Sequence, residues 1–145
     1  MSRLYSSEND GRSFNRLEWA LLGYDGPTVL LVKTGKDAAI GAFTNHPWKD
    51  TLHYYGSSDC FLFALSPEFM VRWPTGREDN FMYMHSGNLK SPIEARNSLP
   101  HGIGFGGNMA KPRFFIPDSF EGCSVDFMDR VRFSWTQCHN CLRRA

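Results

Sequence analysis

The sequence predicts a β-rich α+β fold, two antiparallel sheets packed as a sandwich with small flanking helices. Three observations carry that expectation. Short β-forming runs recur along the chain with turn chemistry between them, and only one segment has helical spacing. The aromatic load of twelve Phe, five Tyr and four Trp is more than one sheet face can bury, whereas two facing sheets can hold it.

In chain order, Asp10-Gly11-Arg12 is turn chemistry and Ser13 is a good N-cap. A helix is expected from Phe14 to Leu22, with Phe14, Leu17, Ala20 and Leu21 on its buried side. Gly23 and Gly26-Pro27 end it. A first strand follows over Thr28 to Lys33, then a turn at Thr34-Gly35-Lys36-Asp37, then a hairpin partner over Ala38 to Phe43. Further strands are expected at Cys60 to Leu65, Phe69 to Trp73, Phe81 to Met84 and Arg113 to Ile116. The stretch from Thr44 to Asp59, with Pro47-Trp48 and Tyr54-Tyr55-Gly56, is irregular.

Gly102 to Gly107 reads Gly-Ile-Gly-Phe-Gly-Gly and formally satisfies the dinucleotide fingerprint G-x-G-x-x-G. That fingerprint works only where the glycines follow a strand and open a helix whose N–H groups hold a pyrophosphate. Here Pro112 and Pro117 bracket a β-forming aromatic run, and the preceding residues form no apolar strand. The glycines are therefore read as extended backbone that another chain segment or a large ring approaches closely.

The bulk numbers set limits. At 145 residues the chain suits one domain with its own core. Sixteen basic against fifteen acidic residues leave no basic excess for a nucleic-acid backbone. No apolar run approaches a membrane span, and the first residues lack a signal region, so a cytoplasmic chain with four thiol cysteines is expected.

Candidate chemistry is sparse. Cys138-His139-Asn140-Cys141 lacks the four ligands of a structural zinc site and the histidine of a haem attachment. His46, His53, His85, His101 and His139 are dispersed and read as exposed loop histidines. No G-x-S-x-G elbow exists; a triad assembled by folding would have to draw on Ser6 or Ser13, His46 or His53, and Glu8. Asp10-Gly11-Arg12-Ser13 lacks the acidic spacing of a calcium loop. Lys36-Asp37, Glu78-Asp79 and Arg143-Arg144 read as solvated charges.

Taken in order, several landmarks resemble a TLDc domain of the oxidation-resistance family. They are Leu4-Tyr5-Ser6-Ser7, Gly11-Arg12-Ser13-Phe14, Gly26-Pro27-Thr28, Gly41-Ala42-Phe43 with Pro47-Trp48, and Tyr55-Gly56. Cys60-Phe61-Leu62-Phe63, Asn80-Phe81-Met82-Tyr83 and Gly102 to Gly107 complete the series over about residues 4 to 127. Leu99-Pro100-His101-Gly102-Ile103-Gly104 is similar to the plant and lysosomal-signalling branch.

The resemblance implies a sandwich domain without established enzyme activity. It also implies protection from oxidative stress and binding of the vacuolar proton-pumping ATPase on its cytosolic side, with a peripheral position at lysosomal or vacuolar membranes. No catalytic, cofactor or metal residue carries over, including any set for the Ser/His/Glu site associated with the family. Ser6, Gly11, Ser13, Phe14, Gly41, Phe43, Trp48, Gly56, Phe61, Phe63, Gly102, Gly104, Gly106 and Gly107 are expected to be structural.

Against the family pattern the chain is expected to be short at both ends. An incomplete domain over residues 1–130 would be followed by a divergent, poorly ordered tail over 131–145, without the closing strand. A missing strand would expose its neighbour's edge and leave a marginal, aggregation-prone domain. Two rival readings remain: a hydrolase or thiol-dependent antioxidant enzyme using Cys60 or Cys123, or a product without independent activity. A reactive thiol needs a nearby cation or helix N-terminus, and Cys60 has Asp59 beside it instead.

Overall fold

The computed structural model describes residues 2–33, 38–76, 79–87, 99–108, 110–126, 133–135 and 139–144, the last two segments by backbone alone. The expected turn at Thr34 to Asp37, Glu78, and the side chains of Cys138, Cys141, Arg143 and Arg144 lie outside the described residues. Among the described residues the elements follow in the order β1 (Arg3–Ser6), α1 (Phe14–Leu22), β2 (Thr28–Lys33), β3 (Ala39–Thr44), β4 (Phe61–Ser66) and β5 (Met70–Arg72), then β6 (Met82–His85), β7 (Gly102–Phe105), β8 (Phe114–Pro117), β9 (Cys123–Val125), β10 (Phe133–Trp135) and β11 (His139–Arg144). Every strand pair is antiparallel.

The strands form two sheets, one of order β1-β11-β2-β3-β4-β5 and one of order β10-β9-β8-β7-β6. Alternation along each strand builds the sandwich core. Leu30 and Val32 on β2, Ile40 and Ala42 on β3, and Leu62 and Ala64 on β4 are buried. Met82 and Met84, Ile103 and Phe105, Phe114 and Ile116, and Val125 are buried in the other sheet. These residues join one core cluster with Phe14, Leu17 and Leu21 of α1. Burying a side chain of this size contributes about 1.5–3 kcal/mol, which offsets the ordering of a nine-residue helix too short to persist alone.

Ser13 has extended N-cap geometry but makes no side-chain capping bond; its carbonyl accepts from the Leu17 N–H at 3.1 Å. The irregular stretch before β4 lies along the edge of β6. Thr51 N–H donates to the Met84 carbonyl at 2.9 Å, and Tyr55 and Met82 exchange both backbone bonds. This covers an edge that would otherwise offer free pairing groups.

The segment expected as a divergent tail contains two strands. β11 lies between β1 and β2 and pairs with β2 from His139↔Lys33 to Arg144↔Thr28. Chain order hid this, because a closing strand inside a sheet gains backbone bonds on both sides whatever its composition.

Candidate functional site

α1 presents Phe14, Leu17, Glu18 and Leu21 to the core, a stripe in which the third member is a carboxylic acid. Glu18 is 8% exposed. Burial raises its pKa, with Asp50 adding in the same direction and the bond to Ser86 opposing.

Asp50 is held in place by β6, through a parallel bridge to Met84. Its carboxylate accepts from the Ser86 N–H at 3.0 Å and from the Ser86 hydroxyl. His85 is 2% exposed, and its Nδ1 lies 3.6 Å from Asp50 Oδ1 without a hydrogen-bond partner among the described residues. Its pKa is lowered, first by burial and then by His101, with Asp50 pulling the other way. The His101 ring stands edge-on to His85 at 4.7 Å, and His101 faces Asp118 at 3.8 Å. Asp50, His85, His101 and Asp118 thus form one row.

This row does not make a hydrolytic triad. Ser86 and His85 both face the carboxylate of Asp50, so the imidazole does not stand between hydroxyl and acid. The triad drawn from Ser6 or Ser13, His46 or His53 and Glu8 is not brought together. Ser6 lies in β1 and its N–H donates to Asp10, and no ion pair joins Glu8 to His46 or His53 among the described residues. No group of three or more His, Cys, Asp or Glu among the described residues is arranged to hold a metal.

The cysteines differ from expectation. Cys60 is a buried free thiol beside Thr44 Oγ1 at 3.4 Å and Met82 Sδ at 4.0 Å. Cys123 is disulfide-bonded, which corrects the reading of four thiols. The reading of exposed loop histidines is corrected at His85, which is a strand residue inside the protein.

The glycine hexad is strand and turn. Gly102 and Gly104 lie in β7, between β6 and β8, and no helix follows among the described residues. Tyr83 packs over Gly104, and a Cβ there would overlap its ring. Gly106 and Gly107 turn the chain with positive φ; Tyr54 donates to the Gly106 carbonyl at 2.8 Å, and Asn80 to that of Gly107 at 2.7 Å. Gly11 accepts from the Tyr5 hydroxyl at 2.7 Å, Gly56 lies against Met82 and Cys60, and Gly41 lies under Phe63. Trp48 donates to Thr28 Oγ1 at 2.8 Å and stands edge-on to Phe105.

A second feature lies on the outer face of the six-stranded sheet. Phe43 stacks on Phe61 at 5.0 Å, and Phe61 meets Trp73 at 4.6 Å. Leu65, Phe69 (72% exposed) and Trp73 (60% exposed) extend this apolar strip to the β5 edge. Phe69 and Trp73 flank a three-residue edge strand, a position that presents rings to the outside. No helix is long and apolar enough to cross a membrane among the described residues.

The comparisons with known proteins agree with this architecture. The chain is 36% identical to MTOR-associated protein MEAK7 of Xenopus laevis over 117 residues, covering 81% of this chain and 24% of that protein. It is 31% identical to the Homo sapiens MEAK7 over 104 residues, covering 72% of this chain and 21% of that protein. Nuclear receptor coactivator 7 of Homo sapiens is 33% identical over 78 residues, 54% of this chain and 8% of that protein. The chain therefore spans less than a quarter of the length of these relatives. The TLDc domain family matches residues 1–141, which extends past the expected boundary at residue 130 and takes in the first half of β11. A two-sheet sandwich with the glycine hexad on an inner strand, matched along nearly its whole length, belongs to the TLDc domain family.

Proposed function

We propose that this domain is a non-catalytic interaction module that docks on the peripheral sector of the vacuolar proton-pumping ATPase and so contributes to oxidative-stress protection. The observation that carries the docking role is the aromatic strip Phe61, Phe69 and Trp73 at the β5 edge. Exposed rings of this kind supply contact area at low entropic cost and are enriched at protein interfaces. The relatives support a protein partner, since the MEAK7 proteins are described as mTOR-associated. The resemblance in sequence supplies the choice of pump and a cytoplasmic position at lysosomal or vacuolar membranes.

The enzyme reading finds less support. Its thiol version needs Cys60 or Cys123 accessible and activated, yet Cys60 is buried and Cys123 is disulfide-bonded. Its hydrolase version needs a base between a serine and an acid, which the Asp50 cluster does not supply.

Equilibrium binding of the purified chain to isolated pump peripheral sector tests the proposal. Saturable binding is expected, with Phe69→Ser weakening it at least about tenfold, as for an interface anchor. No binding by a chain shown to be folded would overturn it.

A further inference from the structure

We infer that the outer face of α1 docks on an anionic lipid bilayer. Trp19 and Leu22 enter the headgroup layer, and Arg12 and Arg16 meet its negative charge. Helix α1 buries Phe14, Leu17 and Leu21 in the core. Its opposite face follows the same spacing, with Asn15, Arg16, Trp19 and Leu22 exposed and Arg12 exposed one residue before the N-cap. Trp19 is 84% and Leu22 45% exposed, on a face where a surface helix ordinarily carries polar residues.

Charge on this face is positive. Arg12 and Arg16 both face outward. Arg16 donates to the Asp10 carbonyl at 2.6 Å, an uncharged acceptor that fixes the guanidinium without cancelling its charge. The Asp10 carboxylate turns back into its own loop, where it accepts from the Ser6 N–H at 2.7 Å. Glu8 and Asp25 lie outside the helix, before and after it. The first turn of α1 holds Arg16 and no acid, the reverse of the charge that the helix dipole favours there. A surface of this kind complements an anionic one.

Size selects a bilayer over a protein. A specific protein interface takes about 20–30 residues a side. Of the exposed large apolar side chains among the described residues, this face holds Trp19 and Leu22, while Leu65, Phe69 and Trp73 belong to the β5 edge. A bilayer asks for less, because an amphipathic ring settles at headgroup level and each arginine is drawn to anionic lipid. One ring and two charges give weak, reversible contact.

Helix α1 packs against β1. β1 and β5 are opposite edges of the six-stranded sheet, about 24 Å apart at the usual strand spacing. The lipid-facing surface is therefore separate from the aromatic strip, and the inference does not rest on the pump docking proposed above.

Co-sedimentation of the purified chain with phosphatidylcholine vesicles containing about one third phosphatidylserine tests it. Binding to these vesicles is expected, with little to phosphatidylcholine alone and a loss on adding salt. Arg12→Gln and Arg16→Gln should each weaken binding about fivefold, and Trp19→Ser at least about tenfold. Phe69→Ser should leave it unchanged. Arg12 makes no bond to the Asp10 loop, so Arg12→Gln decides should Arg16→Gln not fold. Absence of binding by a chain shown to be folded overturns the inference, and so does equal binding to neutral vesicles. Vesicle binding that follows Phe69 rather than Trp19 also overturns it. If Trp19→Ser weakens binding to the pump sector but not to vesicles, the face belongs to a protein partner and the inference falls.

Discussion

The ring of Tyr83 on β6 covers Gly104 on β7, directly across the strand pair, and fills the space a side chain would take. Phe115 on β8 and Tyr54 add their rings to the same cluster at 6.5 and 5.0 Å. Gly104 is therefore a seat for an aromatic cluster, whereas a Cβ at Gly102 would meet the Ile116 carbonyl and one at Gly106 the Arg113 side chain.

Gly104→Ala is expected to destabilise the domain by about 1–3 kcal/mol, the usual cost of overpacking. The backbone of Gly104 is ordinary extended strand, so the cost comes from the Tyr83 ring alone. Urea denaturation of the purified chain measures it. Unchanged stability would mean that the ring moves aside freely.

Tyr83→Phe should be neutral or stabilising. The Tyr83 hydroxyl is buried without a hydrogen-bond partner among the described residues, and burial pushes its pKa far up. An unmet buried polar group costs about 1–3 kcal/mol, and phenylalanine removes it while keeping the packing. A Tm lowered by this substitution would show that the hydroxyl is satisfied in solution.

Trp48→Phe is expected to cost about 1–3 kcal/mol, because the Thr28 hydroxyl loses the donor that now stands 2.8 Å away. Trp48→Ala removes the contact with Phe105 as well and should cost about 3–5 kcal/mol. Thermal or urea unfolding of the two variants checks the order. Equal losses would place the whole effect in the bond to Thr28.

Glu18 and His85 should pull the pH dependence of stability in opposite directions. The raised pKa of Glu18 makes its contribution complete below the ordinary value of 4.5 and lost as pH climbs through the raised one. The lowered pKa of His85 makes its contribution complete above the ordinary 6.5 and lost as pH falls through the depressed one. Melting curves from about pH 4 to about pH 9 should show the alkaline loss reduced in Glu18→Gln and the acid loss reduced in His85→Gln. Parallel profiles in wild type and both variants would refute the assignment.

Cys60 should resist alkylation in the folded chain and react only on unfolding, since its thiol is buried against Thr44 and Met82. Mass spectrometry after iodoacetamide treatment with and without urea reads this directly. Rapid native-state labelling would revive the thiol-enzyme reading.

Much of the architecture was legible because it is local. Thr28 to Lys33 is a β-branched and apolar run, Phe14, Leu17 and Leu21 have helical spacing, and prolines fence the hexad away from any helix. Helix α1 and β2 match their expected bounds, and β3 to β6 lie within about a residue or two of theirs. The functional features were less legible. Glu18 stands between Leu17 and Trp19 with nothing nearby in sequence to mark it for burial, yet it is buried. His85 was read as a loop residue because Ser86-Gly87 follows it, whereas the strand runs one residue further than its apolar pattern.

The amino-acid sequence by itself determined the sheet-forming periodicity, the amphipathic helix α1 and the exclusion of a nucleotide loop. Each depends on neighbours within a few residues, where steric preference and burial period act directly. Tertiary structure alone decided that His139 to Arg144 lies in the larger sheet between β1 and β2, and that Glu18 is buried with a raised pKa. A strand's partner and a carboxyl's charge are set by groups distant in sequence, through backbone bonds and desolvation that exist only once the layers have packed.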